Sequence, residues 1–202
     1  VSERLFLDFD ETLFDHIAML TWLDYTMTRQ YGLRPGEFAA SIDDHHTQLD
    51  DVHRLYRHRE HYGLTGLDWS DVSSQIAGMI AEQGLDFCYP DVHPTLSRAA
   101  ASGLDVGLLT FGDEEYQLFK IAQCRELEGY DFPVYVVHEP KREFLAREFP
   151  SGGTLVDDKF PLGLPNTWLH VLIDRAGQFA HTSLGERVLR ISSLAELDFA
   201  AD

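Results

Sequence analysis

The stretch Arg4-Leu5-Phe6-Leu7-Asp8-Phe9-Asp10-Glu11-Thr12-Leu13-Phe14 decides how the rest of the chain is read. A short apolar run that stops abruptly in acid is the pattern of a buried parallel strand reaching the carboxyl edge of its sheet. Such a strand is covered on both faces and shows no alternation. Four later segments have the same character: Leu104 to Thr110, Pro133 to Val137, Thr154 to Val156 with Asp157 after it, and Trp168 to Ile173. Helix-like stretches separate them, at Asp91 to Ala101, Glu114 to Cys124 and Lys141 to Glu148. Strands alternating with helices predict an α/β fold, a three-layer, doubly wound and mainly parallel sheet.

The interval from Asp15 to Phe87 breaks the alternation and reads as helices without a convincing strand. Asp15 can cap a helix whose apolar positions Ile17, Leu20, Leu23 and Met27 recur every three or four residues until Gly32 and Pro35 stop it. A second helix is predicted near Thr47 to Tyr62, and a third near Ser70 to Ala81 with Asp68 or Ser70 as its cap. The chain therefore divides into an α/β core, residues 1–14 and 88–202, and an inserted helical cap, residues 15–87. Its place just after the first strand makes the insertion a candidate lid, since open α/β sheets bind ligands at their carboxyl edge.

Composition narrows the function classes. The 202 residues are 44% hydrophobic and 25% charged, as expected of a globular protein rather than a disordered or disulfide-scaffold chain. A formal net charge of -18 disfavours nucleic acid and anionic membranes as partners and favours cations and small molecules. Cys88 and Cys124 have no C-x-x-C spacing and read as small core residues of a reducing compartment. No run approaches a membrane span, and residues 1–7 are too short and too charged for a signal peptide, so a cytoplasmic location is expected.

In extended backbone, a spacing of two sends Asp8 and Asp10 to one side and Phe9 to the other. Two carboxylates held together repel unless a proton or a cation is shared, and a hard divalent ion such as Mg²⁺ is the natural solution. Aspartate is abundant enough here that a bare D-x-D would arise about twice by chance, so the context matters more than the pair. That context resembles the haloacid dehalogenase-like superfamily, most of whose members are Mg²⁺-dependent phosphatases. Four motifs carry the resemblance in order. They are Asp8-Phe9-Asp10-Glu11-Thr12; Thr110 closing an apolar strand before Phe111-Gly112-Asp113; Lys141 opening a helix; and the acidic pair Asp157-Asp158 closing another strand. The likeness spans about residues 4 to 175, and the insertion sits where one branch of that family carries its helical cap.

The resemblance implies a mechanism. Asp8 would attack phosphorus and form an aspartyl-phosphate, and Asp10 would act as acid and then base. Thr110 and Lys141 would hold the transferring phosphoryl oxygens. Mg²⁺ would be held by Asp8, the backbone carbonyl of Asp10 and the Asp157-Asp158 pair, with Asp158 favoured as direct ligand and Asp157 as partner of Lys141 or of a metal-bound water. Hydrolysis of a small phosphorylated metabolite is the implied reaction, and the string Asp10-Glu11-Thr12-Leu13-Phe14 is similar to that of some nucleoside-monophosphate phosphatases of this branch. A dehalogenase would not need an acid at Asp10, and a Schiff-base lysine is missing from the cap because no lysine precedes Lys120. The alternative from another class is a catalytically silent protein of this fold that binds a phosphorylated ligand.

Two departures from the family pattern stand out: Glu11 where many relatives have Gly, and Lys159-Phe160-Pro161-Leu162 where many have a further acid near the metal. In the cap, His53 to His61 is a basic island in an acidic protein. Arg54, Arg57 or His58 could grip an anionic part of the substrate. The competing reading is a helix face paired with Asp50, Asp51 and Glu60.

Overall fold

The computed structural model describes residues 4–49 and 53–199. The chain folds as two compact units, one of residues 1–14, 88–111 and 126–202, the other of residues 15–87 and 112–125. None of the described helices is long and apolar enough to cross a membrane.

The first unit is built on β1 (Arg4–Leu7), β4 (Asp105–Phe111), β5 (Val134–Val137), β6 (Gly153–Asp157), β7 (Trp168–Ile173) and β8 (Val188–Ile191). These strands form one sheet in the order β5-β4-β1-β6-β7-β8, and every neighbouring pair is parallel. Parallel neighbours need crossover connections, and α5 (Val92–Ala101) and α7 (Lys141–Glu148) belong to this unit. β1 lies at the centre, with Leu5, Phe6 and Leu7 fully buried, which is why its sequence shows no alternation. On one face, the Phe6 ring stacks on Trp168 at 5.7 Å and meets Phe149 and Tyr135 edge-on. Gly107 sits against that ring. A Cβ there would lie 2.5 Å from Phe6, so the close approach of β4 requires glycine.

The sequence reading finds five of these six strands; β8 escapes it. Only Val188 and Ile191 of β8 are even half-buried, and Leu189 and Arg190 are exposed. An edge strand of four residues with so little apolar content has no legible pattern.

The second unit holds α1 (His16–Tyr31), α2 (Glu37–Ala40), α3 (His58–Tyr62), α4 (Trp69–Gln83) and α6 (Glu114–Ala122). The α1 boundaries follow the sequence signals: the Asp15 side chain accepts from Ala18 N–H at 2.7 Å, and Gly32 ends the helix in the left-handed conformation at φ 73°. Its buried face is Met19, Leu23, Thr26 and Met27, whereas Ile17 is 65% exposed. Asp68 caps α4 by accepting from Asp71 N–H.

The helix expected near Thr47 to Tyr62 does not form as such. His46–Gln48 (β2) and Arg54–Tyr56 (β3) pair antiparallel as a hairpin, and only His58–Tyr62 is helical; residues 50–52 of that expectation lie outside the described residues. The hairpin wins because it brings Tyr56 onto His46 and the buried His61, contacts that a continuous helix would not supply. Helix α6 takes part in the same aromatic packing, since Tyr116 and Phe119 meet the buried Trp69 edge-on at 5.8 and 5.1 Å. Residues 112–125 thus join the helical unit, although the sequence pattern places them among the crossover helices.

Candidate active site

Three strands that are neighbours in the sheet deliver the motif residues to one edge. Asp8 follows the last residue of β1, Thr110 is the penultimate residue of β4, and Asp157 ends β6. β1 lies between the other two, so all three positions share the carboxyl edge, where an open α/β sheet binds ligands. The Asp8 N–H donates to the Val156 carbonyl at 2.9 Å and extends the ladder to the acid itself. Thr110 and Asp157 are buried, while Asp10 is half-buried in the turn that follows β1.

Lys141 comes from the first residue of α7, after Pro140. Its ammonium donates to Asp8 Oδ1 at 2.5 Å and to Asp157 Oδ2 at 2.6 Å. Burial works against the charge, but Asp157 and Asp8 outweigh it and hold the lysine above its usual value. The second Asp157 oxygen accepts from the Lys159 N–H at 2.8 Å, so both its oxygens are engaged by the protein. Asp158 is different. One oxygen accepts from Lys159 Nζ at 2.6 Å, and the other, Oδ1, is buried with no hydrogen-bond partner among the described residues.

The electrostatics of this cluster favour an added cation. Carboxylate oxygens of Asp8, Asp157 and Asp158 lie within 4.8 Å of one another. Burial, followed by Asp157 and Asp158, pushes Asp8 up to about 8 against the pull of Lys141. Asp158 is also raised, chiefly by burial. An orphaned buried carboxylate oxygen beside two further carboxylates is a hard, all-oxygen donor set of the kind that suits Mg²⁺, so the residues present fit the ion.

His170 was missed by the sequence reading. It lies on β7, is buried, and hydrogen-bonds the Asp157 backbone; burial lowers its pKa. A histidine inside an apolar strand run carries no signal that separates this role from ordinary packing.

No protein-family model matches the chain, and no curated protein matches it in sequence. Solved structures do match. A haloacid dehalogenase-like hydrolase from Burkholderia xenovorans superimposes with a TM-score of 0.63 at 19% identity, over 97% of this chain and 99% of that one. The chain has the haloacid dehalogenase-like fold. A haloacid dehalogenase-like phosphatase from Thermococcus onnurineus gives a TM-score of 0.59 at 19% identity, covering 96% of this chain and 94% of that one. YfnB of Bacillus subtilis, a hydrolase of the same fold whose structure is bound to magnesium, gives 0.55 at 14% identity over 96% and 95%.

The basic island lies in the helical unit of the chain. Arg54 pairs with Asp43 at 3.2 Å, and Arg57 pairs with Glu60 and donates to the Asp44 carbonyl at 2.7 Å. His58 is buried, 3.3 Å from Asp113 Oδ1 and 3.0 Å from Glu115 Oε2, and stacks on Tyr116. Asp43, Glu60, Asp113 and Glu115 are thus among the acids that meet the island. Asp50 and Asp51, expected as partners, lie outside the described residues.

Proposed function

We propose that this chain is a Mg²⁺-dependent phosphatase of the haloacid dehalogenase-like superfamily, hydrolysing a small phosphorylated metabolite through an aspartyl-phosphate on Asp8. The observation that carries the reading is the Asp8–Lys141 contact at the carboxyl edge of the sheet, beside the buried and unpartnered Asp158 Oδ1.

In this reading a carboxylate oxygen of Asp8 attacks phosphorus while the ester oxygen departs with a proton from the Asp10 carboxyl. Water then attacks the phosphorus of the acyl-phosphate, gives its proton to the Asp10 carboxylate, and releases phosphate and free Asp8. Lys141 and Thr110 hold the phosphoryl oxygens, and Lys141 offsets part of the charge that makes phosphate esters resist nucleophiles. Asp8 and Asp158 would hold the ion, with the Asp10 carbonyl; Asp157, already engaged by Lys141 and Lys159 N–H, fits the role of orienting the lysine. When bound, Mg²⁺ supplies Lewis-acid polarisation of a phosphoryl oxygen and favours the ionised form of Asp8.

The test is a screen with Mg²⁺ across nucleoside monophosphates, sugar phosphates and small phospho-acids, with Asp8→Asn in parallel. Turnover by the parent chain that Asp8→Asn abolishes is expected. Steady hydrolysis by a pure Asp8→Asn protein would reject the nucleophile, and tight binding of phosphorylated ligands without any turnover would select the silent binding protein instead.

A further inference from the structure

The α/β unit contains a half-buried ionic network that the chemistry above does not use, and it closes on the turn carrying Asp10. Arg175, just beyond β7, forms a forked pair with Asp91, Nη1 to Oδ2 and Nη2 to Oδ1, both at 3.0 Å. Its Nη2 also donates to the Thr12 carbonyl at 2.7 Å, and the guanidinium carbon lies 3.8 Å from the centre of the Tyr89 ring. Asp91 is held from its other side by Ser193 Oγ at 2.6 Å and Leu194 N–H at 2.9 Å. The Tyr89 hydroxyl donates to Glu11 Oε2 at 3.1 Å, and the Tyr89 N–H donates to the Leu13 carbonyl at 2.9 Å.

The three residues after Asp10 are therefore each gripped by Arg175 or by Tyr89, the residue that Arg175 covers. Glu11 has φ 59° and is the only described non-glycine residue in the left-handed region, a conformation that L-residues with a Cβ resist. Thr12 is fully buried, so its carbonyl needs a donor from within the protein. A lysine could not serve the Asp91 fork and the Thr12 carbonyl from one plane, whereas a guanidinium does both.

We propose that Arg175 is a positioning residue: by clamping the Thr12 carbonyl and covering Tyr89, which holds Glu11, it fixes the turn so that the Asp10 carboxyl stays in place for proton transfer. The catalytic half of this inference rests on the proposed phosphatase reading. The mechanical half, that the clamp orders residues 11–14, does not.

Arg175→Ala, Arg175→Lys and Tyr89→Phe in the full chain test both halves, by kinetics on a generic aryl phosphate with Mg²⁺ and by amide hydrogen exchange of residues 11–14. Misplacing the acid should lower kcat roughly 10- to 100-fold in Arg175→Ala with KM within about twofold, and Arg175→Lys and Tyr89→Phe should fall between it and the parent. Exchange at Glu11, Leu13 and Phe14, whose N–H groups bond to the Phe14 and Phe9 carbonyls, should accelerate by about tenfold or more. Glycine takes a positive φ freely, so in a Glu11→Gly background the same Arg175→Ala change should cost kcat only about threefold or less. A plain structural brace would cost the same in both backgrounds. Unchanged exchange at residues 11–14 in folded Arg175→Ala, or in Arg175→Lys if the alanine variant does not fold, would overturn the clamp. Unchanged kcat in an active parent with loosened exchange would overturn its catalytic role. A parent chain inactive on every phosphate ester would overturn the phosphatase reading, and hydrogen exchange would still decide the clamp.

Discussion

Lys141 Nζ lies 2.5 Å from Asp8 Oδ1, across 133 residues of chain, and both side chains are buried at the centre of the sheet edge. The buried ammonium stays charged because Asp157 and Asp8 together offset the hydration it loses. Lys141→Met leaves the Asp8, Asp157 and Asp158 cluster without its buried cation and should destabilise the fold by about 3 kcal/mol. Denaturant unfolding at pH 7 measures this. A loss below 0.5 kcal/mol, taken as ~0, would show that the pair contributes nothing to folding.

Burial raises the pKa of Asp8 in the metal-free chain and favours its protonated form, whereas a cation in the cluster would favour the carboxylate. Addition of Mg²⁺ at pH 7 should release protons, and the number released should fall as the pH rises. Calorimetric titration in two buffers of different ionisation enthalpy counts those protons. Binding without proton release at pH 7 would contradict the arrangement.

The same shift fixes the pH dependence of metal-free stability. A carboxyl whose folded pKa is raised contributes stability that is full below its unfolded value, near 3.8, and is lost as the pH rises through about 8. Asp8→Asn removes that loss, so metal-free Asp8→Asn should melt higher than the metal-free parent at pH 9. An equal or lower melting temperature at pH 9 would count against it.

Lys159 places its ammonium on Asp158 Oδ2 at 2.6 Å while the lysine side chain is largely exposed. A divalent ion using Asp158 must compete with that contact. Exposed ion pairs are worth about 0.2–1 kcal/mol, so Lys159→Ala should tighten Mg²⁺ binding about 1.5- to 5-fold. Metal-dependent thermal shifts report it, and weaker binding in the variant would instead make Lys159 a supporting residue.

His61 in the helical unit is fully buried. Its Nε2 lies 2.9 Å from the Phe38 carbonyl and from Ser41 Oγ, and its ring stacks on Phe38 at 4.0 Å. Burial, with His45 beside it, holds its pKa down at about 4. Between pH 6.5 and 4 the unfolded chain binds the proton that the folded one refuses, so stability falls as the pH drops through this window, by about 3 kcal/mol at most. His61→Asn or His61→Gln should flatten that part of the stability profile. An unchanged slope would mean that another group controls it.

The strands β1, β4 and β6 and the helix opened by Lys141 were legible in the sequence because local physics writes them there. A strand buried on both faces must be continuously apolar, and it ends where polar residues return. Asp8, Thr110, Lys141 and Asp157 each stand at the end or start of such an element, and the resemblance to a known family is what singles them out in the sequence. What pairs with what was not legible there. The β2–β3 hairpin and the alliance of α6 with the helical unit follow from aromatic contacts between distant segments. The grip of Arg175 on Thr12 spans 163 residues. Periodicity and capping act within a few residues and leave a trace in sequence, whereas the choice of a distant partner depends on which surfaces the folded chain brings together, and only the tertiary structure decides it.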